Sequence, residues 1–304
     1  MSLFLRSVYI SSGLSLLYVG LLYRSNPLRR LSGVTVTLSF AVGMGAVIPV
    51  VLFRQLLPLE SVDTLFSAYV SAGLVEEGAK FLVLTATIWW LRFPDLAEPL
   101  DVAVYLGIVG AGFGIYEDFW YIFSESYDVW IAGDVGRFRE VFSAIVLARS
   151  FPGHVLFGGI AGYLVGRARF VQTWRARLVW FAGGFVMAVV LHGSFNLIAG
   201  AGGTVALLSY CVLLVGVFVH LRRKALEHSP FRVLVRLITE GEGEWPYSRS
   251  YVDYLFAEGF SWPAESKGGM FQAFPLTLSL LILYPLLVIA VYLVNRLLVW
   301  ILPL

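Results

Sequence analysis

Eight apolar runs, each long enough to cross a bilayer and joined mostly by short connections, leave this 304-residue chain little choice of fold. A hydrocarbon layer of about 30 Å takes about 20 helical residues, and a lone segment inside it satisfies its backbone only as a helix. The runs lie near residues 3–23, 34–57, 62–91, 100–123, 139–165, 177–198, 203–221 and 273–303. The expected fold class is therefore an all-α polytopic membrane protein with about eight transmembrane helices. With 59% apolar and 14% charged residues, the chain is excluded from the soluble globular classes. No period of 20 to 50 residues repeats.

Basic residues set the expected orientation. Connections after the first, third, fifth and seventh runs hold fifteen of the 22 lysines and arginines, against four on the other side (Arg6, Arg54, Arg137 and Arg139). By the positive-inside bias both termini are expected outside the cytoplasm, in a multi-pass protein of the cell membrane. The net charge of +2 follows from this bias and gives no reason to invoke nucleic acid. The first run lacks a small-x-small cleavage site and reads as a retained span. Cys211 is the only cysteine, which rules out an intrachain disulfide and a thiolate cluster. The domain reading is a seven-span membrane domain over 1–221, a cytoplasmic insert over 222–272 and a C-terminal transmembrane helix over 273–304. The insert opens on a basic amphipathic stretch from Ala225, suited to the inner membrane surface.

Against this apolar background, ionisable residues at bilayer depth need a partner or a function, because each costs roughly 2.5 to 3.5 kcal/mol to insert. The third run carries Glu76, Glu77 and Lys80. Glu76 and Lys80 stand at i and i+4 in the favourable order, so Lys80 is expected to hold one carboxylate charged while its neighbour is free to react. The fourth run reaches Glu117 and Asp118 one turn after a Gly110/Gly114 pair suited to close helix approach. Glu117 reads as functional, and Asp118 as a residue where the span ends. In the fifth run, Pro152 and Gly153 predict a helix break immediately before His154, and Gly158, Gly162 and Gly166 form a small-residue stripe. In the sixth, His192 and Asn196 share a face one turn apart. A polar outer loop is expected from Ser124 to Arg139, and the first two runs read as scaffold.

These residues belong to four consecutive antiparallel spans, the third to the sixth, expected to form a site-carrying core over about 62–198. A single pocket in the outer half of the bilayer collects them. Two glutamates, two histidines and an asparagine are the parts needed to hydrolyse an amide with activated water. A carboxylate removes the proton, while the histidines hold a divalent metal or steady the developing oxyanion. The HExxH signature is absent, and Ser150 and Ser194 lack a GxSxG setting.

At these residues the sequence resembles the PrsW family of intramembrane proteases, related to the CAAX prenyl endopeptidase and bacteriocin-immunity group. The resemblance rests on Glu76–Lys80 (EExxK), Phe113–Glu117 (FGxxE), Pro152–His154 and His192–Asn196 (HxxxN), over about 120 residues. Asp118 stands where the family pattern usually has asparagine. The resemblance implies cleavage of a transmembrane or membrane-anchored protein near its extracytoplasmic side, as in anti-sigma factor processing. It implies Glu76 as general base, Glu77 as its electrostatic or hydrogen-bonding partner and Lys80 as internal counter-ion. His154 and His192 would bind a metal or the oxyanion, with Asn196 assisting and Glu117 as ligand or orienting group. Zinc suits the set His154, His192 and Glu117 chemically, although the prenyl-endopeptidase relatives look able to work through glutamate and histidine directly. The alternatives are a proton-coupled transporter, which uses the same side chains as a relay, and a non-catalytic membrane scaffold or immunity protein.

Overall fold

The computed structural model describes residues 2–27, 31–56, 63–91, 98–169, 171, 173–227, 229 and 231–232. Among them the chain is helical, with no strand. The helices are α1 (Leu3–Tyr23), α2 (Gly33–Gly45), α3 (Val47–Leu56) and the single turn α4 (Thr64–Phe66). A π-helical segment, Ser67–Leu74, then leads into α5 (Val75–Leu91). There follow α6 (Pro99–Ile131), α7 (Val135–Arg149), α8 (Gly153–Arg169), α9 (Trp174–Gly200) and α10 (Thr204–Glu227).

Six helical stretches among the described residues are long and apolar enough to cross a membrane: Leu3–Tyr23, Gly33–Leu56, Pro99–Ile131, Val135–Ala168, Trp174–Gly200 and Thr204–Glu227. This is a multi-pass membrane protein. The third expected span is helical from Thr64 to Leu91, but it carries Glu76, Glu77 and Lys80 in little more than one turn and is not among the six. The eighth expected span, 273–303, lies outside the described residues, as does nearly all of the insert; the described part of the insert up to Glu227 continues α10.

Burial ranks the helices. The apolar window of α6 is 89% buried within the protein and that of α10 only 6%, so α6 is the central post and α10 faces outward. Glycines decide what can reach that post. A Cβ on Gly43 would strike the Val109 carbonyl, and one on Gly112 the Phe40 carbonyl, so α2 and α6 cross backbone to backbone. On the other side, Gly110 of α6 lies against the His154 carbonyl, and Gly158, Gly162 and Gly166 of α8 lie against Leu106, Val102 and Pro99. The small-residue stripe is thus a helix–helix contact of the kind membranes favour, where packing replaces the hydrophobic driving force.

Three expectations change. The polar loop from Ser124 to Arg139 is instead mostly helix: α6 continues to Ile131, turns through Gly133 at φ 72°, and α7 starts on its Asp134 cap. Glu125, Asp128, Arg137 and Arg139 of that stretch are exposed, while Ser126 is buried. The second span is not one helix but two, divided at Ala46. It is not mere scaffold either, because Arg54 of α3 reaches a buried carboxylate. The expected break in the fifth span is present between α7 and α8, over Ser150–Pro152.

Candidate active site

α5 brings Glu76, Glu77 and Lys80 into the interior, where they are 3%, 1% and 3% exposed. Close packing of the preceding π-helical segment on α9 fixes their position. Gly73 would place a Cβ 2.9 Å from the Val189 carbonyl, and the Tyr69 ring occupies the space that a side chain at residue 193 would need. The Tyr69 hydroxyl lies 2.9 Å from the Ser194 hydroxyl. Gly193 therefore lets α9 approach, and its neighbour His192 meets the glutamates.

The contacts form a chain. Lys80 Nζ donates to Glu77 Oε1 at 2.6 Å and to His154 Nδ1 at 2.9 Å, while sitting 4.1 Å from the Phe113 ring centre. Lysine only donates, so His154 Nδ1 accepts and its Nε2–H donates to Glu117 Oε2 at 2.6 Å. His192 Nδ1 lies 2.9 Å from Glu77 Oε1 and, facing a carboxylate, carries the proton. That leaves the lone pair of His192 Nε2 directed at Glu76 Oε2, 3.8 Å away. The two imidazoles meet edge to face with centroids 5.0 Å apart, and Phe157 stacks on His192.

Here the i, i+4 reading is corrected. Lys80 is at bonding distance from Glu77, its i−3 neighbour, not Glu76. Glu76 takes its cation from another span: Arg54 Nη2 lies 2.6 Å from Glu76 Oε1. Asp118 is corrected as well. It is buried at 7% exposure rather than marking the end of a span, and its Oδ1 accepts from Arg149 Nε at 2.8 Å. Arg149 also donates from Nη2 to Glu117 Oε2 at 2.6 Å. In the sequence, Arg54 counts only among the basic residues of the outer side and Arg149 only as a basic residue within the fifth run, and neither is a site candidate. Pairing across spans has no fixed spacing, and for Arg149 the signal was that a basic residue inside a span needs an acid nearby.

A cavity opens onto these groups, walled by Glu117, Asp118, Arg149, His154, His192 and Asn196. Ser15 and Tyr18 of α1 line it too, and the Phe151 and Phe195 rings stack beside it. The structure thus brings Glu117, His154, His192 and Asn196 together around one space, with Glu76 and Glu77 against the same histidines.

The donor set also suits a metal. One ligand atom each from Glu76, His154 and His192 lie within 4.8 Å of one another, all three residues buried. Glu76 Oε2 has no hydrogen-bond partner among the described residues, and His192 Nε2 is fixed in orientation by a carboxylate behind the ring, the support that ligating histidines use. A carboxylate and two imidazoles are zinc ligands. His154 would join such a set by releasing one of its two engaged nitrogens. Glu117 is outside the group of three, its Oε2 accepting from both Arg149 and His154.

Known proteins similar to this chain are proteases. It is 29% identical to Protease PrsW of Clostridioides difficile (strain 630) over 170 residues, 55% of this chain and 67% of that protein. It is 28% identical to Protease PrsW of Bacillus subtilis (strain 168) over 165 residues, 54% of this chain and 68% of that protein. No solved structure matches it. The chain is accordingly a membrane-embedded peptidase. A family model described as PrsW family intramembrane metalloprotease matches residues 32–221, and the chain belongs to that family.

Proposed function

We propose that this protein hydrolyses a peptide bond of a transmembrane or membrane-anchored protein, near the extracytoplasmic side, with water activated at Glu76. The observation that carries this reading is Glu76 Oε2: buried, without a hydrogen-bond partner, and facing the lone pair of His192 at 3.8 Å. A basic oxygen held out of water and aimed at a second polar group is what a general base needs. Glu77 accepts from His192 and Lys80 and so fixes the imidazole; Lys80 is the internal counter-ion. Glu117 orients His154 from the other side, and the Asn196 amide lines the cavity where an oxyanion would be met. In the alternative metal-bound form, a divalent ion such as zinc held by Glu76, His154 and His192 would supply a Lewis acid and a more acidic water in place of proton removal by the Glu76 carboxylate.

The catalytic core proposed is residues 62–198, with the 222–272 insert cytoplasmic and 273–304 a last span. The substrate is of the anti-sigma-factor kind: a single membrane anchor with an extracytoplasmic segment. Clustering favours hydrolysis over proton relay, because Glu76, Glu77, Glu117, His154 and His192 converge on one another instead of being strung out as a path from face to face. The test is cleavage of a membrane-anchored reporter by purified protein in vesicles, with His192→Ala and Glu76→Gln beside wild type. Loss of cleavage with normal expression supports the reading, and retained cleavage in Glu76→Gln overturns it. Zinc content measured on the same preparations tests the metal.

A further inference from the structure

We infer that Arg54 is a positioning residue for the reaction: it holds one oxygen of Glu76 from a neighbouring helix and thereby aims the other at His192. This rests on the reading of Glu76 as the reacting carboxylate.

Three observations lead there. The first is pairing. Glu77 has Lys80 at 2.6 Å and His192 at 2.9 Å, so both of those groups are committed to it. Among the described residues, the cation at bonding distance from Glu76 is Arg54, at 2.6 Å from Oε1, and Oε2 has no hydrogen-bond partner. A carboxylate gripped at one oxygen has its terminal torsion fixed, and that torsion is otherwise broad and two-fold. The second is register. Val47, Val50, Val51 and Arg54 recur at i, i+3, i+4 and i+7 along α3, one face of a helix. The valines of that face pack with Val75, Ala79 and Val83 of α5. The seam that locks α3 on α5 therefore also directs residue 54 towards residue 76. The third is exposure. The Arg54 side chain is 47% exposed and that of Glu76 3%. A half-exposed arginine thus meets an oxygen of a buried glutamate, so the contact joins the interior to the protein's outer surface.

Arg54 also lies in the last turn of α3, where a cation is favoured by the helix dipole. Its absence would leave Glu76 Oε1 buried without the donor that now meets it.

The experiment compares wild type, Arg54→Gln, Arg54→Lys and Glu76→Gln in vesicles carrying the membrane-anchored reporter, with kcat and KM separated and thermal unfolding in detergent as control. Arg54→Gln is expected to lower kcat by about 10- to 100-fold, the usual loss when an outer partner of a site group is removed. KM should stay within about twofold, because an interaction that aims a catalytic group is not uniform substrate binding. Arg54→Lys should regain most of the rate, since a point charge can still grip Oε1. Wild-type kcat in Arg54→Gln, or a rise in KM alone, overturns the inference, as does a lysine variant no better than glutamine at equal thermal stability. Retained cleavage in Glu76→Gln instead overturns the underlying reading of Glu76. The two failures are therefore distinct.

Discussion

The start and the middle of α6 each bury carboxylates, and they are finished differently. At the start of α6, Glu98 and Asp101 form a capping box, with Asp101 accepting from the Glu98 backbone at 3.1 Å. Asn26 donates to Glu98 at 2.5 Å and to Asp101 at 3.2 Å, and Ser229 hydroxyl donates to the other Glu98 oxygen. Near mid-helix, Glu117 and Asp118 share Arg149, and the network passes through His154 and Lys80 to Glu77 and His192. It finishes at an open oxygen on Glu76. Burial alone is thus no mark of a functional acid. A closed cluster ties loops to a helix terminus; an open one keeps an acceptor for something the protein does not itself supply.

That contrast predicts opposite phenotypes. The largest effect is expected from Glu76→Gln, which removes the open oxygen's basicity while preserving shape: cleavage should fall by about 10²- to 10⁴-fold, with unfolding temperature unchanged. A stable, active Glu76→Gln would erase the difference between the two clusters. Next comes Glu98→Ala, which removes the side-chain acceptor of Ser229 and one of the acceptors of Asn26 and should cost about 1–3 kcal/mol of stability. Thermal unfolding in detergent reads that loss, and kcat per folded molecule should be unaffected. A smaller effect belongs to Tyr69→Phe, which deletes the hydrogen bond to Ser194 beside His192 and should cost about 1 kcal/mol, seen in unfolding with a minor change in rate. The smallest is Asp118→Asn: the amide oxygen still accepts from Arg149, and Glu117 keeps the guanidinium, so cleavage should change only a few-fold. A collapse of activity there would move Asp118 from support to chemistry.

The fold was legible where physics is local. Apolar length gave the helices, Pro152 and Gly153 gave the break before His154, and glycines at four-residue intervals gave the face on which α8 meets α6. Composition missed the helix through Ser124–Arg139, because a helix leaving the bilayer loses its apolar signal without losing its hydrogen bonds. Six of the expected spans are present among the described residues, and the eighth falls outside them.

At the site, rarity singled out Glu76, Glu77, Lys80, Glu117, His154 and His192, since charge and imidazole at bilayer depth are costly enough to need a reason. Partnership was another matter. Arg54 and Arg149 stand 22 and 32 positions from the glutamates they hold. Spacing of 3.6 residues per turn fixes neighbours only along one helix. Which cation meets which carboxylate depends on how α3, α5, α7 and α6 rotate against each other, and glycine contacts, a π-helical turn and a valine seam set those rotations. By itself, then, the sequence determined that the chain crosses the membrane and which side chains stand out there. Only the packing of helix on helix decided that Lys80 serves Glu77, and that Glu76 keeps one oxygen open.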